Sequence, residues 1–289
     1  MSTGAAGDPR ADGRPTPVEM VAPAKLTLSL KIVGVRPDGY HLLESEMVTL
    51  DLADTLVMGE GDGLTVTAAS IGGSSRIGER DRPDGDRVPI GPDNLVRRAL
   101  RAVGRLADVD LVKRVPPGAG LGGGSADAAA VLRWAGCHDP EVALSLGADV
   151  PFCLTGGRAL VRGVGEDVEP LPYEERAFTL LLLPFGMNTA AVYRAWDGMA
   201  SPGQSGGETG AAGDGANDLE GPALRVDEHL GRWQRAFAAA SGRVPRLAGS
   251  GSTWFVEGTL EELGLAGRFL HLGDERARLV EVRTVPAFI

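Results

Sequence analysis

The residues with the clearest chemical meaning are five glycines among the seven positions from Gly118 to Gly124, followed at once by Ser125 and a run of alanines. Glycine loses more backbone entropy on folding than any other residue, so a run this dense needs a compensating gain. Main-chain N–H groups at the start of a helix provide that gain when they bind an anion that approaches the bare backbone closely. The segment therefore predicts a phosphate-binding loop, and the alternative is a tight loop that serves packing alone.

One type of phosphate loop, the dinucleotide-binding fingerprint, fits the spacing of Gly118, Gly120 and Gly123. That fingerprint lies between a strand and a helix, and a second strand that ends in an acidic residue follows the helix. No apolar strand precedes Asp139 here, and the Pro116–Pro117 pair lengthens a turn that must be tight. An NAD-binding oxidoreductase of the Rossmann type is therefore the weaker alternative.

The two other types of loop bind a nucleoside triphosphate. A P-loop requires a lysine beside the β- and γ-phosphates, and no lysine occurs between Gly118 and Leu132. A glycine-rich loop that wraps the phosphates does not depend on that lysine, because the N–H groups and the dipole of the helix opened by Ser125 face the anion. We favour this third type, which indicates a nucleotide-dependent protein.

The composition argues against several other classes of function. A net charge of −10, from 29 basic and 39 acidic residues, disfavours sequence-independent binding of nucleic acid. Cys137 and Cys153 provide no disulfide framework and the four histidines match no zinc spacing, so we expect reduced thiols. The first residues lack an apolar signal core, and the apolar run 178–185 is too short to span a bilayer. We therefore expect a cytoplasmic protein with neither a nucleic-acid nor a membrane partner.

The apolar patterns predict two blocks of mixed strands and helices, with a boundary near residues 172–177. The composition predicts a disordered tail over residues 1–18 and an exposed loop over 70–92, and a low-complexity insertion covers 198–216. Strands are predicted at 25–32, 47–52, 54–58, 64–68, 109–115, 178–183 and after the glycine turn that begins at 247, and helices at 95–106, 125–134, 141–146 and 226–241. Residues 147–166 are predicted to be mostly strand and turn, and the last segment a βαβ-like unit.

Three motifs, in the expected order, resemble one superfamily of kinases. The segment PPGAGLGGGSADAA at 116–129 resembles the phosphate-binding motif of the GHMP kinases, which include galactose, homoserine, mevalonate and phosphomevalonate kinases. The segments PAKLTLSLKIVGVRPDGYHLLES at 23–45 and LAGSGSTWFV at 247–256 resemble the N-terminal and C-terminal motifs of the same superfamily. The details resemble those members whose acceptor is a cytidine diphosphate derivative, and these details are DGYH at 38–41, NLVRRA at 94–99, KRVPPGAGLGGGSADAA at 113–129, LGADVPFCLTGGRALVRGVGE at 146–166 and NDLE at 217–220.

The resemblance implies an α+β fold of two domains with the active site between them. It assigns residues 19–174 to a ribosomal protein S5 domain 2-like N-terminal domain that binds ATP, and residues 175–289 to a ferredoxin-like C-terminal domain. The implied activity is ATP-dependent phosphorylation of the 2-hydroxyl of a cytidine diphosphate derivative of methylerythritol, on the non-mevalonate route to isoprenoid precursors. We expect a monomer or a homodimer. A kinase of the mevalonate or homoserine type and a non-catalytic nucleotide-binding protein remain alternatives.

Two residues match the catalytic positions of this superfamily. Asp149, in the segment GADVP, matches the aspartate that takes the proton of the acceptor hydroxyl. Lys25, in the segment PAKL, matches the lysine that pairs with that aspartate and stabilises charge at the reacting oxygen. The weaker alternative for Lys25 is a solvated strand lysine, whereas from the local sequence alone Asp149 is equally typical of a turn-forming aspartate before Val-Pro.

The resemblance also implies the residues that bind ATP. They are Asn94, Lys113, Pro116, Gly118, Gly120, Leu121, Gly122, Gly123, Gly124 and Ser125. Asn94 is equally typical of a helix N-cap, and Lys113 of a solvated strand end. Mg²⁺ is expected because phosphoryl transfer from ATP needs charge neutralisation, and Ser125 is a candidate ligand, while no second ligand is identifiable.

For the acceptor, the resemblance implies that cytosine lies between two aromatic side chains, matched here by Tyr40 and Tyr193. His41 resembles the group that hydrogen-bonds the cytosine. The remaining acceptor-site residues are Thr27, Asp149, Thr189, Gly249, Ser250 and Gly251. The family usually has asparagine at the position of Thr27, and threonine offers one hydroxyl in place of an amide, so the position of the acceptor depends on this difference.

Overall fold

A mixed six-stranded sheet forms the first part of the computed structural model, which describes residues 16–68, 90–199 and 216–288. The strands follow the order β3-β4-β2-β5-β6, and β1 pairs with β2 outside this path. Within the described residues, the parallel pairing is that of β3 with β4, and the other neighbours are antiparallel. The strands are β1 (Val18–Val35), β2 (His41–Gly59), β3 (Leu64–Ala68), β4 (Asp108–Lys113), β5 (Arg158–Gly163) and β6 (Asp167–Leu171).

The long hairpin of β1 and β2 contains the first predicted strands. Its turn is closed by Gly39, whose φ of 87° is accessible because glycine has no side chain, and the N–H of Arg36 donates to the carbonyl of Tyr40 at 2.7 Å. The prediction of two separate strands at 47–52 and 54–58 is wrong, since β2 is continuous. Asp54 looked like a strand end, but its buried carboxylate accepts main-chain N–H groups of Arg114 and Val115 and so stays inside the sheet.

In the described residues, four helices cover the first sheet: α1 (Leu95–Ala102), α2 (Gly123–Ala135), α3 (Pro140–Leu146) and α4 (Val150–Thr155). The alanines at 126 and 128–130 of α2 are buried, which explains their number, because small side chains let this helix approach the strands closely. The helix α1 ends before the predicted residue 106, where Gly104 takes a φ of 62°. The prediction of strand and turn over 147–166 is wrong for α4, since Pro151 lies in its first turn, where a missing N–H costs nothing.

The second sheet is antiparallel, with the strand order β10-β11-β7-β9-β8. Its strands are β7 (Ala177–Leu182), β8 (Arg246–Leu247), β9 (Trp254–Glu257), β10 (Phe269–Leu272) and β11 (Glu275–Arg283). Three helices lie between β7 and β8: α5 (Thr189–Met199), α6 (Glu220–Val226) and α7 (Glu228–Ser241). The order of β11, β7, β9 and β8 is that of a ferredoxin-like sheet, so the predicted α+β class is confirmed.

We call the first sheet with α1–α4 the first unit, and the second sheet with α5–α7 the second unit. Two details of the second unit differ from the prediction. The single helix predicted over 226–241 is preceded by α6, and Asp227 separates the two helices because its carboxylate caps α7 by accepting the N–H of His229 at 2.8 Å. The βαβ-like ending is also wrong, since within the described residues a turn at 259–264 and the strand β10 stand where a helix was expected.

The two sheets share an apolar interface in addition to their own cores. Leu26, Val48 and Leu50 of the first sheet form one cluster of buried residues with Phe178 and Phe255 of the second. The topology of both sheets excludes the Rossmann alternative, which requires a doubly wound parallel sheet.

The segment beyond β11 returns to the first unit. The N–H of Val285 donates to Thr49 at 2.9 Å, and the N–H of Phe288 donates to Thr155, the last residue of α4, at 3.2 Å. The guanidinium carbon of Arg133 also lies over the ring of Phe288, 4.1 Å from the centroid of that ring. Residues that come after the second sheet in the sequence thus pack against the first unit.

The cysteines, the apolar runs and the predicted irregular segments have simple outcomes. Cys137 and Cys153 are free thiols. In the described ranges no helix has both the length and the apolar character needed to cross a membrane. Residues 1–15 of the predicted tail, 69–89 of the predicted loop and 200–215 of the insertion lie outside the described residues, and Val18 already belongs to β1.

The glycine-rich segment is hydrogen-bonded to the second unit through its main chain. The carbonyl of Gly118 accepts the N–H groups of Met187 and Ser252 at 2.9 and 3.2 Å, and the carbonyl of Ala119 accepts that of Thr253 at 3.2 Å. Gly120 has no room for a side chain, since a Cβ would lie 2.0 Å from the carbonyl oxygen of Ala248.

We predict that Gly120→Ala lowers the free energy of unfolding by about 2–5 kcal/mol, the sum of a strained positive φ and a steric clash with the backbone. Gly104→Ala is the matched control, because Gly104 also has a positive φ but a Cβ there meets nothing within 4 Å. Its cost is the strain alone, about 1–2 kcal/mol. Urea denaturation of both variants measures the difference, and equal losses would contradict the close approach of the two units at Gly120.

Candidate active site

A cavity of about 580 Å³ lies where the two units meet. Most residues proposed from the sequence line it, namely Lys25, Thr27, Asn94, Lys113, Pro116, Gly118, Gly120, Leu121, Gly122, Gly123, Gly124, Ser125, Asp149, Thr189, Tyr193, Gly249 and Ser250. Three others, Tyr40, His41 and Gly251, do not line it. The wall is therefore built from β1, the glycine-rich loop, the start of α4, the start of α5 and the loop between β8 and β9.

Lys25 and Asp149 come together on this wall. The Lys25 Nζ lies 3.4 Å from the Asp149 Oδ2 and donates to the Thr27 Oγ1 at 2.9 Å. Lys25 is 5% exposed, so it is not a solvated strand lysine. Asp149 occupies the N-cap position of α4 without a capping hydrogen bond from its side chain. Its carboxylate, about one third exposed, is therefore available to a ligand in the cavity.

The glycine-rich loop presents bare backbone to the same cavity. Gly118, Gly120 and Gly122 have φ values of 65°, 76° and 66°, which favour glycine at each position. The helix α2 begins at Gly123, two residues before the predicted start at Ser125, and no side chain caps it. The N–H groups of its first turn have no intrahelical acceptor, so they can bind an anion.

The close approach of Lys25 explains the glycine at position 122. A Cβ on Gly122 would lie 2.7 Å from the Cγ of Lys25. The main chain of the two segments is also joined, since the N–H of Lys25 donates to the carbonyl of Leu121 at 3.0 Å. The loop that could bind an anion and the lysine that could stabilise charge are therefore held as one unit.

Lys113 differs from its predicted role as a freely reaching nucleotide contact. Its buried ammonium donates to two buried carboxylates, those of Asp54 and Asp127, the latter at 2.6 Å. Burial alone would lower the pKa of Lys113, but the two carboxylates outweigh it and raise the pKa. Lys113 thus lies beneath the glycine-rich loop as a paired charge, with its Nζ 3.2 Å from where a Cβ of Gly123 would be.

Asp127 is the weakest member of this buried triad of Asp54, Lys113 and Asp127. Burial raises its pKa to about 7, although the charge of Lys113 opposes that rise. Among the described residues, no group donates a hydrogen bond to its Oδ1. The desolvation of this carboxylate is the main cause of the raised pKa, and the neighbouring carboxylate of Asp54 adds to it.

Asn94 combines the two roles proposed for it. Its Oδ1 accepts the N–H of Val96 at 2.8 Å, which caps α1. The same residue lies on the cavity wall and is 7% exposed. The capping interpretation is therefore correct, and the cavity position is compatible with it.

The end of the cavity opposite the glycine-rich loop is formed by α5. The Thr189 Oγ1 and the Ser250 Oγ are 2.8 Å apart, which joins this helix to the loop between β8 and β9. Burial, and in addition the charge of Asp149, raise the pKa of the Tyr193 phenol. The ring of His41 lies against that of Tyr193 with 4.8 Å between centroids, and its Nε2 is 2.8 Å from the Asp197 Oδ1.

Tyr193 lines the cavity and Tyr40 does not, so their predicted placement on either side of a cytosine stays a prediction. Tyr40 is 64% exposed, and its ring contact is with the guanidinium of Arg36 at 5.9 Å. Tyr40 lies in the hairpin turn before β2, whereas His41, the first residue of β2, contacts the ring of Tyr193. Gly251 differs from prediction, since it closes a turn by donating to Ala248 at 3.0 Å instead of lining the cavity.

The comparisons with known proteins agree with this geometry. Residues 94–157 match the model of the GHMP kinases N terminal domain. The 4-diphosphocytidyl-2-C-methyl-D-erythritol kinase of Paracoccus denitrificans (strain Pd 1222) is 38% identical over 81% of this chain and 84% of its own length. The enzyme of the same name from Paramagnetospirillum magneticum (strain ATCC 700264 / AMB-1) is 37% identical over 83% of this chain and 88% of its own.

The chain belongs to the 4-diphosphocytidyl-2-C-methyl-D-erythritol kinase family. A crystal structure of 4-(cytidine 5'-diphospho)-2C-methyl-D-erythritol kinase also superposes with a TM-score of 0.65 and 29% identity, over 93% of this chain and 100% of the other.

Asp54, Asp127 and Asn217 are structural partners that the sequence analysis of this 4-diphosphocytidyl-2-C-methyl-D-erythritol kinase family member missed. The signal for Asp127 was a lone carboxylate within the alanine-rich helix, where an unpaired charge is costly. Asp54 carried a similar signal, because it interrupts an apolar strand. Asn217 belongs to the NDLE segment at 217–220 that resembles the family, but no local pattern shows that its partner is a loop thirty residues later.

We predict that the stability of the protein falls as the pH rises from about 4 to about 7, because the pKa of Asp127 is 3.8 when unfolded and about 7 when folded. The native state then binds one more proton than the unfolded state within this window, with a slope of up to about 1.4 kcal/mol per pH unit. Asp127→Asn removes this contribution. Urea denaturation across the window should give a flatter profile for Asp127→Asn than for the unsubstituted protein.

Asp110→Asn is the control for that measurement, because Asp110 is exposed and lies on the same strand as Lys113. Its profile should follow that of the unsubstituted protein. If Asp127→Asn and the unsubstituted protein had parallel profiles, the assignment of the titration to the buried triad would be wrong.

Proposed function

We propose that the chain transfers the γ-phosphoryl group of ATP to the 2-hydroxyl of 4-diphosphocytidyl-2-C-methyl-D-erythritol, a step of non-mevalonate isoprenoid precursor biosynthesis. The observation that carries the proposal is the Lys25–Asp149 pair, which lies beside the glycine-rich loop on the wall of one cavity. A phosphate-binding loop, a carboxylate and a buried ammonium are the groups that phosphoryl transfer to a hydroxyl requires. The names of the relatives supply the identity of the acceptor.

Asp149 acts as the general base. The acceptor oxygen attacks the γ-phosphorus, the bond from that phosphorus to the β,γ-bridging oxygen breaks, and the hydroxyl proton passes to the carboxylate of Asp149. ADP leaves with the electron pair of the broken bond. Lys25 stabilises negative charge on the reacting oxygen and on the phosphoryl group, because its Nζ lies beside the same carboxylate.

The glycine-rich loop orients the triphosphate without a P-loop lysine. N–H groups of the first turn of α2 and the helix dipole bind the phosphate oxygens. The cavity position of Gly122, Gly123, Gly124 and Ser125 supports this role. Lys113 acts beneath the loop, where its ion pairs fix the start of α2.

The donors on the cavity wall fit a magnesium ion that enters with the nucleotide. Mg²⁺ usually binds one or two protein oxygens, with substrate phosphates and water completing its shell. Within the described residues, no cluster of three or more His, Cys, Asp or Glu could hold a metal by itself. Ser125 would hold the ion through its hydroxyl oxygen, and the bound ion would neutralise charge on the β- and γ-phosphates.

The cytosine of the acceptor packs against Tyr193 and is hydrogen-bonded by His41. Their contact near the α5 end of the cavity supports this assignment. Thr27 contributes a hydroxyl close to Lys25, where its relatives usually have an amide, and so sets the position of the sugar alcohol differently.

We predict that, with ATP and Mg²⁺, the purified protein phosphorylates 4-diphosphocytidyl-2-C-methyl-D-erythritol in preference to mevalonate and homoserine. The physical reason is the flat aromatic site beside Asp149, which only the cytidine compound can occupy. Formation of ADP and of the phosphorylated product, measured for each acceptor, tests this. A preference for mevalonate or homoserine would reject the proposed substrate and keep the kinase assignment.

We predict that Asp149→Asn lowers kcat by about 10²- to 10⁴-fold, the usual contribution of a general base. Asp139→Asn is the matched control, since Asp139 caps α3 through its Oδ1 and asparagine caps a helix as well as aspartate does. Its kcat should stay within about twofold of the unsubstituted enzyme. An Asp149→Asn enzyme with full activity would remove Asp149 from the mechanism.

A further inference from the structure

A short segment before α6 joins the edge of β1. The N–H of Leu30 donates to Ala216 at 3.0 Å, and the N–H of Asp218 donates back to Leu30 at 2.9 Å. The Asp218 Oδ2 accepts the N–H of Ile32 at 2.8 Å. Residues 216–218 are thus fixed to the strand that carries Lys25.

Asn217, in the middle of this segment, extends its side chain to the loop between β8 and β9. Its Nδ2 donates to the carbonyls of Leu247 and Gly249, at 3.0 and 2.7 Å. Its Oδ1 accepts the N–H of Leu219 at 3.0 Å. Both donors and the acceptor of the amide are used, so the position of the side chain is well determined.

The loop held by Asn217 contains a β-turn over residues 248–251. The N–H of Gly251 donates to the carbonyl of Ala248 at 3.0 Å. Gly249 has a φ of 57°, and the φ of Ser250 is negative, as it is for every non-glycine residue of the described chain. This combination is typical of a type II′ turn. The central peptide of such a turn, here Gly249–Ser250, makes no hydrogen bond within the turn, so an outside group must fix its orientation.

Asn217 fixes this peptide with the carbonyl turned away from the cavity. A trans peptide is planar, and its C=O and N–H point in opposite directions. The Gly249 carbonyl points to Asn217, which does not line the cavity, whereas Gly249 and Ser250 do. The N–H of Ser250 therefore points into the cavity. None of the described residues accepts a hydrogen bond from it.

The position of this N–H is close to the reacting groups. A Cβ on Gly249 would lie 3.5 Å from the Lys25 Nζ and 3.6 Å from the Thr27 Oγ1. The peptide thus lies beside the region where Lys25 and Asp149 meet, and next to the phosphate-binding loop, since the same Cβ would lie 3.7 Å from the Gly120 carbonyl oxygen. A main-chain donor at this point costs no reorganisation when negative charge develops.

We propose that Asn217 is a positioning residue, which holds the Gly249–Ser250 peptide so that its N–H donates a hydrogen bond to the phosphoryl group in transfer. This inference rests on the proposed kinase function. Asn217 touches neither substrate, and its effect passes through the peptide that it orients.

The first test is Asn217→Asp, which keeps the shape of the side chain and its Oδ1 acceptor but has no donor for the two carbonyls. We expect kcat to fall about tenfold to a hundredfold. This decrease is no larger than the one that removal of a preorganised hydrogen-bond donor usually causes, because Asn217 acts on the donor indirectly. KM for ATP and for 4-diphosphocytidyl-2-C-methyl-D-erythritol should change less than about threefold, since the donor acts mainly in the transition state.

Asp218→Ala is the matched control, because it breaks the neighbouring contact of the same segment with β1 and leaves the Asn217 side chain in place. Its kcat should remain close to that of the unsubstituted enzyme, even if its thermal stability falls. Equal losses of kcat in the two variants would show that only the attachment of the segment matters, and would overturn the inference.

The second test uses the unsubstituted enzyme and so does not depend on the folding of a variant. With ¹⁵N-serine labelling, the amide resonance of Ser250 is assigned by its loss in Ser250→Ala. Addition of ADP, Mg²⁺, aluminium fluoride and the acceptor should move this resonance downfield, as expected for a new hydrogen bond to an anion. In Asn217→Asp the movement should be much smaller.

The outcomes separate the inference from the function on which it rests. An unsubstituted enzyme that does not phosphorylate the acceptor rejects the proposed function. An active enzyme whose Ser250 amide does not move with the aluminium fluoride complex, or an Asn217→Asp variant with unchanged kcat, rejects the role of Asn217 alone.

Discussion

The structure depends on one constraint, the approach of two glycine-containing loops to within main-chain hydrogen-bonding distance. Residues 118–119 bond to residues 252–253, and Gly120 leaves no space for any side chain. Backbone contacts of this kind fix position more closely than side-chain packing, because few rotatable bonds separate the contact from the chain. The anion-binding loop of the first unit and the turn of the second are therefore held at a fixed distance, and the cavity between them is largely preformed.

Charge is distributed around this junction in two layers. Lys25 lies beside Asp149, and Lys113 lies between two buried carboxylates beneath the glycine-rich loop, where it also lines the cavity. A buried ion pair rarely adds much stability, since desolvation offsets the attraction. It does restrict geometry, because every member must keep its partner. Lys113 joins β2, β4 and α2 in this way, and the start of α2 is the part of the fold that must stay in place for the phosphates.

The sequence predicted the parts of the site that depend on local chemistry. The glycine run, Lys25 and Asp149 all lie on one cavity, and the α+β class is correct. The errors have long-range causes. Asp54 resembled a strand break because its main-chain partners, Arg114 and Val115 just after β4, are some sixty residues away. The helix α4 resembled a turn because it has only six residues, with Pro151 in its first turn and Gly156 at its end. The sequence also does not show that it is His41, and not the adjacent Tyr40, whose ring contacts Tyr193.

The return of residues 284–288 to the first unit limits how this architecture can be recombined. The second sheet is continuous with a segment that covers α4, whose opposite end holds Asp149. A chimera that takes its second unit from another kinase would bring a foreign covering segment with it. The surface around Thr49, Arg133 and Thr155 would have to be exchanged together with that unit, so a crossover point between the two sheets does not divide this protein into independent modules.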